Sequence, residues 1–299
     1  MKQAIVYQIY RVLAALFGLL PEPVVRHLGR GLGKAATLVA RDRFAMAMRH
    51  QRRVQGEGID ARKAAREVFA QYGRYWTETF WVRPRRARAI LERTTLLGIE
   101  HLHAARDSGR GVVLALPHCG NWEIAGLRAA AEDTRVLAVA EALSNERIVQ
   151  WFIDVRASME IDIVIARKGG SVTRALIERL RAGGTIALLC DRDLTGRGIP
   201  VTLFGEETTM PAGPVALADR TGAVLLPVGT YFEDGAGHHF EAHPPLQIPD
   251  APTTEERVAL GTQALAGVVE RIIRKAPEQW HLVVPNWPSD RERAGGEEA

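Results

Sequence analysis

His118 and Glu123 stand five positions apart in "LALPHCGNWEIAG" (114–126), where an apolar run ends at a proline. The run 112–116 is expected to be a buried strand. Pro117 would end it, because proline cannot donate to a ladder. His118 would then lie at the carboxyl end of a strand, where open α/β sheets bind their ligands. Asn121 suits the cap of a helix beginning near Trp122, with Glu123 in its first turn. That geometry would bring the Glu123 carboxylate back to the imidazole. A carboxylate bonded to one ring nitrogen fixes the tautomer, and it stabilises the imidazolium when the other nitrogen takes a proton. His118 and Glu123 are therefore expected as a general base and its orienting acid. No G-x-S-x-G nucleophile accompanies them, so the base would act on a hydroxyl supplied by a substrate. Taken alone, the spacing fits an ordinary helix start equally well.

Other reactive side chains carry less. Cys119 adjoins His118, but neighbours on an extended segment point opposite ways, which disfavours a thiol nucleophile. His238, His239 and His243 have no cysteine beside them, and Gly235 and Gly237 mark a hairpin. They read as solvated or internally satisfied histidines, and no metal site is expected. The local "GRGLGK" (29–34) lacks the spacing and preceding strand of a phosphate loop. Trp122, Trp280 and Trp287 read as packing or interface anchors.

The elements that must position these residues follow from patterning. Residues 1–95 read as helical, with Val68, Phe69, Tyr72, Tyr75, Trp76 and Phe80 forming a core-facing stripe. From 111 onward, "GVVLALP", "RVLAVA", "IDIVIA", "GTIALLC" and "AVLLPVGTY" alternate with helical stretches at 121–133, 144–159 and 171–182. A last helix is expected over 254–275. The alternation implies an α/β fold, a mostly parallel central sheet flanked by helices. Three regions follow: a helical, basic segment (1–95), an α/β core (96–288) and a disordered tail (289–299).

Of the 299 residues, 46% are hydrophobic and 25% charged, ordinary globular values, and the pI is near 9.3. Arginine dominates the basic residues, which also fits a GC-rich genome. The first 60 residues hold ten basic and four acidic residues, so the basicity belongs to the N-terminal region. Its opening, "AIVYQIYRVLAALFGLL" (4–20), is interrupted by Gln8 and Arg11 and is shorter than a membrane span requires. The following "PEPVVRHLGRGLG" offers no A-x-A cleavage site. It reads as a helix at a membrane interface, followed by basic helices facing anionic headgroups. A buried first helix with a solvated basic face is the alternative. Two cysteines fit a reducing compartment rather than a disulfide scaffold.

"LPHCGNWEIAG", "ARKGGSVTRALIERLRAGGTIALLCDRDLTGRGIPVTLFGEETTMPAGPVALADRTGAVLLPVGTYF" and "PEQWHLV" together resemble the glycerolipid acyltransferase superfamily. The nearer likeness is to its bacterial branch of lipid A lauroyl acyltransferases and actinobacterial phosphatidylinositol mannoside acyltransferases. "DRDLTGRG", "FGEETTMPAGP" and "TGAVLLPV" look most like the mannoside enzymes. The resemblance implies a peripheral enzyme on the cytoplasmic face of the cell membrane. It would move an acyl chain from acyl-CoA, a co-substrate rather than a bound cofactor, to a mannose hydroxyl of phosphatidylinositol mannoside. No nucleic-acid partner is implied. A lipid A-type acceptor, a hydrolase using the same dyad on water, and a silent lipid-binding protein are the alternatives.

Site residues follow from that likeness. Asp191 aligns with an acidic substrate contact, and Arg192 would pair with phosphate or with Asp191. A surface salt-bridge cluster is the plain alternative for "DRD". Arg167, or the helix start after Gly120, would supply donors to an oxyanion. Gly205 and Gly213 would admit a ligand close to backbone, with Met210 and Pro211 shaping the wall. The plain alternative there is a turn before a helix.

Overall fold

Five apolar runs become strands because each is short, β-branched or leucine-rich, and closed by a turn signal. In the computed structural model they are β2 (Val112–Leu116), β3 (Val136–Glu141), β4 (Asp162–Ala166), β5 (Thr185–Leu189) and β8 (Val224–Phe232). The structure describes residues 2–141, 145–166, 172–193 and 196–292. With β1 (Thr94–Leu97) and β9 (His238–Ala242), the described strands form a seven-stranded sheet in the order β1-β9-β8-β2-β5-β3-β4. Every neighbouring pair is parallel except β8 and β9, which form a hairpin. β6 (Ile199–Leu203) and β7 (Glu206–Met210) make a separate antiparallel ribbon.

The period of two on β2 assigns its residues to opposite faces. Val113 and Ala115 enter a core completed by α9 (Val172–Arg181), α10 (Gly213–Thr221) and α11 (Thr254–Lys275). Val112, Leu114 and Leu116 face α6 (Ile99–Asp107) and α7 (Trp122–Ala131). The expected helices appear within a few residues of their predicted bounds, with α8 (Glu146–Ala157) between β3 and β4.

The N-terminal region consists of α1 (Lys2–Leu19), α2 (Glu22–Ala36), α3 (Arg41–Gln55), α4 (Ala61–Trp81) and a short α5 (Ala87–Leu91). The glycines of "GRGLGK" serve helix packing. A Cβ at Gly33 would come within 2.0 Å of the Phe69 carbonyl, and one at Gly73 within 2.1 Å of the Gly29 carbonyl. α2 and α4 therefore cross at backbone contact, which only glycine permits. The helical region also shares a core with the sheet layer, where Ala14, Phe17, Phe80 and Trp81 meet Ile124, Ile161 and Phe240.

Among the described residues no helix is long and apolar enough to cross a membrane. α1 and α2 do leave apolar side chains uncovered, including Ile9, Val12, Leu16, Leu28 and Leu32. The first residues of the expected tail, 289–292, are helical. Pro288–Glu292 form a short helix, α12, because Asp290 is buried and accepts the amides of Asn286 and Trp287. Residues 293–299 lie outside the described residues.

Candidate active site

β2 delivers His118 to the carboxyl edge of the sheet, and the loop after it is tightly specified. Gly120 has φ +53°, and a Cβ there would lie 2.5 Å from the Thr230 carbonyl oxygen. The segment after α11 runs alongside. Gly120 donates its amide to the Gln279 carbonyl (3.1 Å), and His281 donates its amide to the His118 carbonyl (2.8 Å). Asn121 caps α7, its side chain accepting the Ile124 amide at 3.3 Å.

The carboxylate that meets the imidazole belongs to Asp191, not Glu123. His118 Nδ1 lies 2.7 Å from Asp191 Oδ1, and the His118 amide donates to Oδ2 at 3.1 Å. Trp280 Nε1 also donates to Oδ2, at 2.7 Å. Asn286 holds the Asp191 carbonyl at 3.2 Å. The meeting follows from sheet register. β2 and β5 are parallel neighbours, with Leu116 opposite Leu189, so the residues just beyond both strands emerge side by side. Asp191 is fully buried. Burial alone would raise its pKa, but the His118 charge and the hydrogen bonds from His118 and Trp280 outweigh it and hold the carboxyl below its usual range.

Glu123 points elsewhere. Its Oε2 accepts from Arg156 Nε at 2.8 Å, its Oε1 from Arg156 Nη2 at 2.5 Å and from the Tyr75 hydroxyl at 3.3 Å. The first turn of α7 carries this carboxylate inward toward α4 and α8, and the bidentate guanidinium secures it there. The expected His118–Glu123 pair is therefore not formed. His118 meets α7 through Trp122 instead, edge to face at 5.4 Å.

The other expected site residues are spread around this centre. Arg192 is half-buried and, among the described residues, makes no ion pair with Asp191, whose oxygens serve His118 and Trp280. Asp193 accepts the amides of Gly196 (3.0 Å) and Gly198 (2.7 Å) and the Thr209 hydroxyl (2.9 Å), tying its loop to β7. Within "DRD", Asp191 is buried against His118 and Trp280 rather than exposed at the surface. Gly205 forms the β6–β7 turn together with Phe204, both at positive φ, and its Cβ direction is open. Met210 is wholly buried in the core, while Pro211 and Gly213, both half-buried, lead into α10. Arg167 lies outside the described residues. Cys119 is buried, and burial first, then nearby Asp191, pushes its thiol far above the range where a thiolate forms.

Sequence reasoning missed several supporting residues. Trp280 reads from the sequence as a packing or interface anchor, although it lies in "PEQWHLV", and in the structure it donates to Asp191. Glu78 on α4 carries no signal in the sequence. It accepts from Asn121 Nδ2 (3.0 Å) and Arg74 Nε (2.7 Å) and meets His238 Nε2 at 3.0 Å. Burial would raise its pKa, yet His238 and Arg74 pull it down to about 2. The helical region thereby grips the residue that starts α7.

An apolar cavity of about 160 Å³ opens beneath this site, between α7 and the sheet. Leu116, Leu189 and Trp122 line its upper end, and Leu114, Ala187 and Leu226 continue the same face. The room arises from small side chains, namely Ala125, Gly126 and Ala129 on α7 and Ala138 and Ala187 on the sheet. A histidine base with an oriented tautomer, set over an apolar slot, suits transfer or hydrolysis of a chain-bearing ester.

Comparison with known proteins narrows that chemistry. The family model described as bacterial lipid A biosynthesis acyltransferase matches residues 1–289. A phosphatidylinositol mannoside acyltransferase of Mycobacterium tuberculosis is 41% identical over 224 residues, covering 73% of this chain and 68% of the relative. One from Mycolicibacterium smegmatis is 38% identical over 226 residues, covering 75% and 72%. The lipid A biosynthesis lauroyltransferase of Escherichia coli is 28% identical over 268 residues, covering 87% and 84%. The chain belongs to the bacterial lipid A biosynthesis acyltransferase family and is an acyltransferase.

Proposed function

We infer that this enzyme transfers a fatty acyl chain from acyl-CoA to a mannose hydroxyl of phosphatidylinositol mannoside, at the cytoplasmic face of the cell membrane. The observation that carries the mechanism is the His118–Asp191 pair above an apolar cavity. The relatives named as mannoside acyltransferases support the acceptor.

With Nδ1 committed to Asp191, Nε2 is the nitrogen left for the acceptor. The acceptor oxygen attacks the thioester carbonyl while its proton passes to Nε2. Asp191 stabilises the imidazolium that forms. The tetrahedral oxyanion collapses, the carbon–sulfur bond breaks, and the leaving CoA sulfur takes the proton back. General-base catalysis of this kind contributes roughly 10²–10⁴, and holding donor and acceptor together contributes much of the remainder. Amides at the start of α7 and Arg167 are the candidate oxyanion donors. Asp191 therefore acts on the base rather than on the sugar. Glu123 acts as a brace between α7, α4 and α8.

The uncovered apolar side chains of α1 and α2 support a peripheral seat on lipid, since contiguous exposed apolar surface marks an interaction face. The test is an assay with acyl-CoA and purified mannoside, read by mass spectrometry. Acylated mannoside should form with the wild type and be lost in His118→Ala. Free fatty acid as the main product in the presence of acceptor would show a hydrolase instead.

A further inference from the structure

On the acyl-transfer reading above, the cavity beneath α7 takes the acyl chain, so its far end decides how long a chain fits. α7 runs the length of the slot, from Trp122 beside His118 to Glu132 just past its last turn. That is about 15 Å at 1.5 Å per residue. The middle of the wall is small and apolar. Glu123 and Arg156, paired with each other, line the slot next to Trp122, and at the far end Arg128 and Glu132 both line it.

These two side chains form an ion pair. Glu132 Oε2 also meets His103 Nε2 on α6 at 2.9 Å, and Arg106 Nη1 donates to the Glu132 carbonyl at 2.7 Å. The pair is largely covered, with 23% of the Arg128 and 18% of the Glu132 side chain exposed, and Arg128 Nε is buried with no hydrogen-bond partner among the described residues. An alkyl end that reached this point would have to strip remaining water from both charges or part them, and either is unfavourable. Up to that point each buried methylene favours binding.

We propose that the Arg128–Glu132 pair, braced by His103, is the stop that sets the longest acyl chain this enzyme transfers. It is a specificity-determining element of the donor site and acts by ending the apolar slot.

The experiment measures kcat/KM of the full chain with saturated donors from octanoyl-CoA to stearoyl-CoA and one mannoside acceptor. Arg128→Ala/Glu132→Ala removes both charges together and leaves neither orphaned. Each additional methylene admitted is worth about fourfold in affinity. The longest donors should therefore gain at least tenfold relative to the wild-type optimum, and the optimum should move to longer chains. Ala129→Phe fills the middle of the slot and should move the optimum to shorter chains. Should the alanine pair fail to fold, Arg128→Leu/Glu132→Leu keeps the volume without the charges and should favour long donors in the same direction. An unchanged length profile in an active variant of either pair overturns the stop and leaves the transferase reading intact. Absence of transfer by the wild type with every donor overturns that reading and the stop with it.

Discussion

His118 and Asp191, 73 residues apart in the chain, are joined twice: ring Nδ1 to Oδ1 at 2.7 Å, and backbone amide to Oδ2 at 3.1 Å. One carboxylate thus fixes both the orientation of the imidazole and the backbone that carries it. The second oxygen is shared with the Trp280 indole, so the base is only as well placed as the C-terminal segment that reaches back to it.

Trp280→Phe keeps the ring and removes that donor. A buried acceptor that loses a partner costs about 1–3 kcal/mol. The expected outcome is a Tm several degrees lower and a kcat reduced about tenfold, with KM for acyl-CoA little changed. Calorimetry and steady-state kinetics on the one variant check both. Unchanged kcat would mean that the indole packs beside Asp191 without tuning it.

Much of the fold was legible because local patterning and tertiary structure agree. The run before Pro117 is a strand, Asn121 caps α7, and "TIALL" ends beside "LALP". The partner of His118 was harder to find. Glu123 lies close in sequence, but the first turn of a helix aims its side chain by rotation about the axis, and Arg156 and Tyr75 wait on the inward side. Asp191 is distant in sequence, and its contact depends on which strand neighbours β2. The strand order became visible only in the sheet. Glu78 and Trp280 escaped for a similar reason, since a buried carboxylate and an indole declare a role only through their partners.

Membrane association should depend on apolar side chains rather than charge alone. Ile9 and Val12 on α1 and Leu28 and Leu32 on α2 are each at least 44% exposed. Arg30 and Lys34, by contrast, lean on Glu67 of α4. Ile9→Asp/Val12→Asp/Leu28→Asp/Leu32→Asp should weaken flotation with anionic vesicles at least a hundredfold while leaving the thermal transition in place, because burying one such side chain is worth about 1.5–3 kcal/mol. Undiminished flotation would place the lipid contact on another surface.

Stability should fall on mild acidification. Burial first pushes His50 down to about 4 and His281 down to about 3, in spite of their hydrogen bonds to the Val284 and Gly120 carbonyls. Both are depressed below the unfolded value of 6.5, so the unfolded chain binds more protons. Their contribution is complete above pH 6.5 and is lost as pH falls toward 4 and then 3. Each histidine adds about 1.4 kcal/mol per pH unit to the slope in its window. Urea titrations at several pH values should show this slope, and His50→Gln should remove about half of it between 6.5 and 4, leaving the share of His281. A flat profile over that range would contradict the buried, neutral assignment.

Asp191, rather than Glu123, orients the base, and a paired comparison of conservative amides checks this. Asp191→Asn and Glu123→Gln are purified, checked for folding, and assayed for acyl transfer to phosphatidylinositol mannoside. Asp191→Asn should lower kcat by about 10³–10⁴ with the fold retained, because a neutral amide cannot stabilise imidazolium and favours the wrong tautomer. Glu123→Gln should lower the Tm, since it neutralises one side of the buried pair with Arg156, and should reduce kcat far less. A folded Glu123→Gln enzyme as inactive as Asp191→Asn, or an Asp191→Asn enzyme with near-normal turnover, would contradict the account.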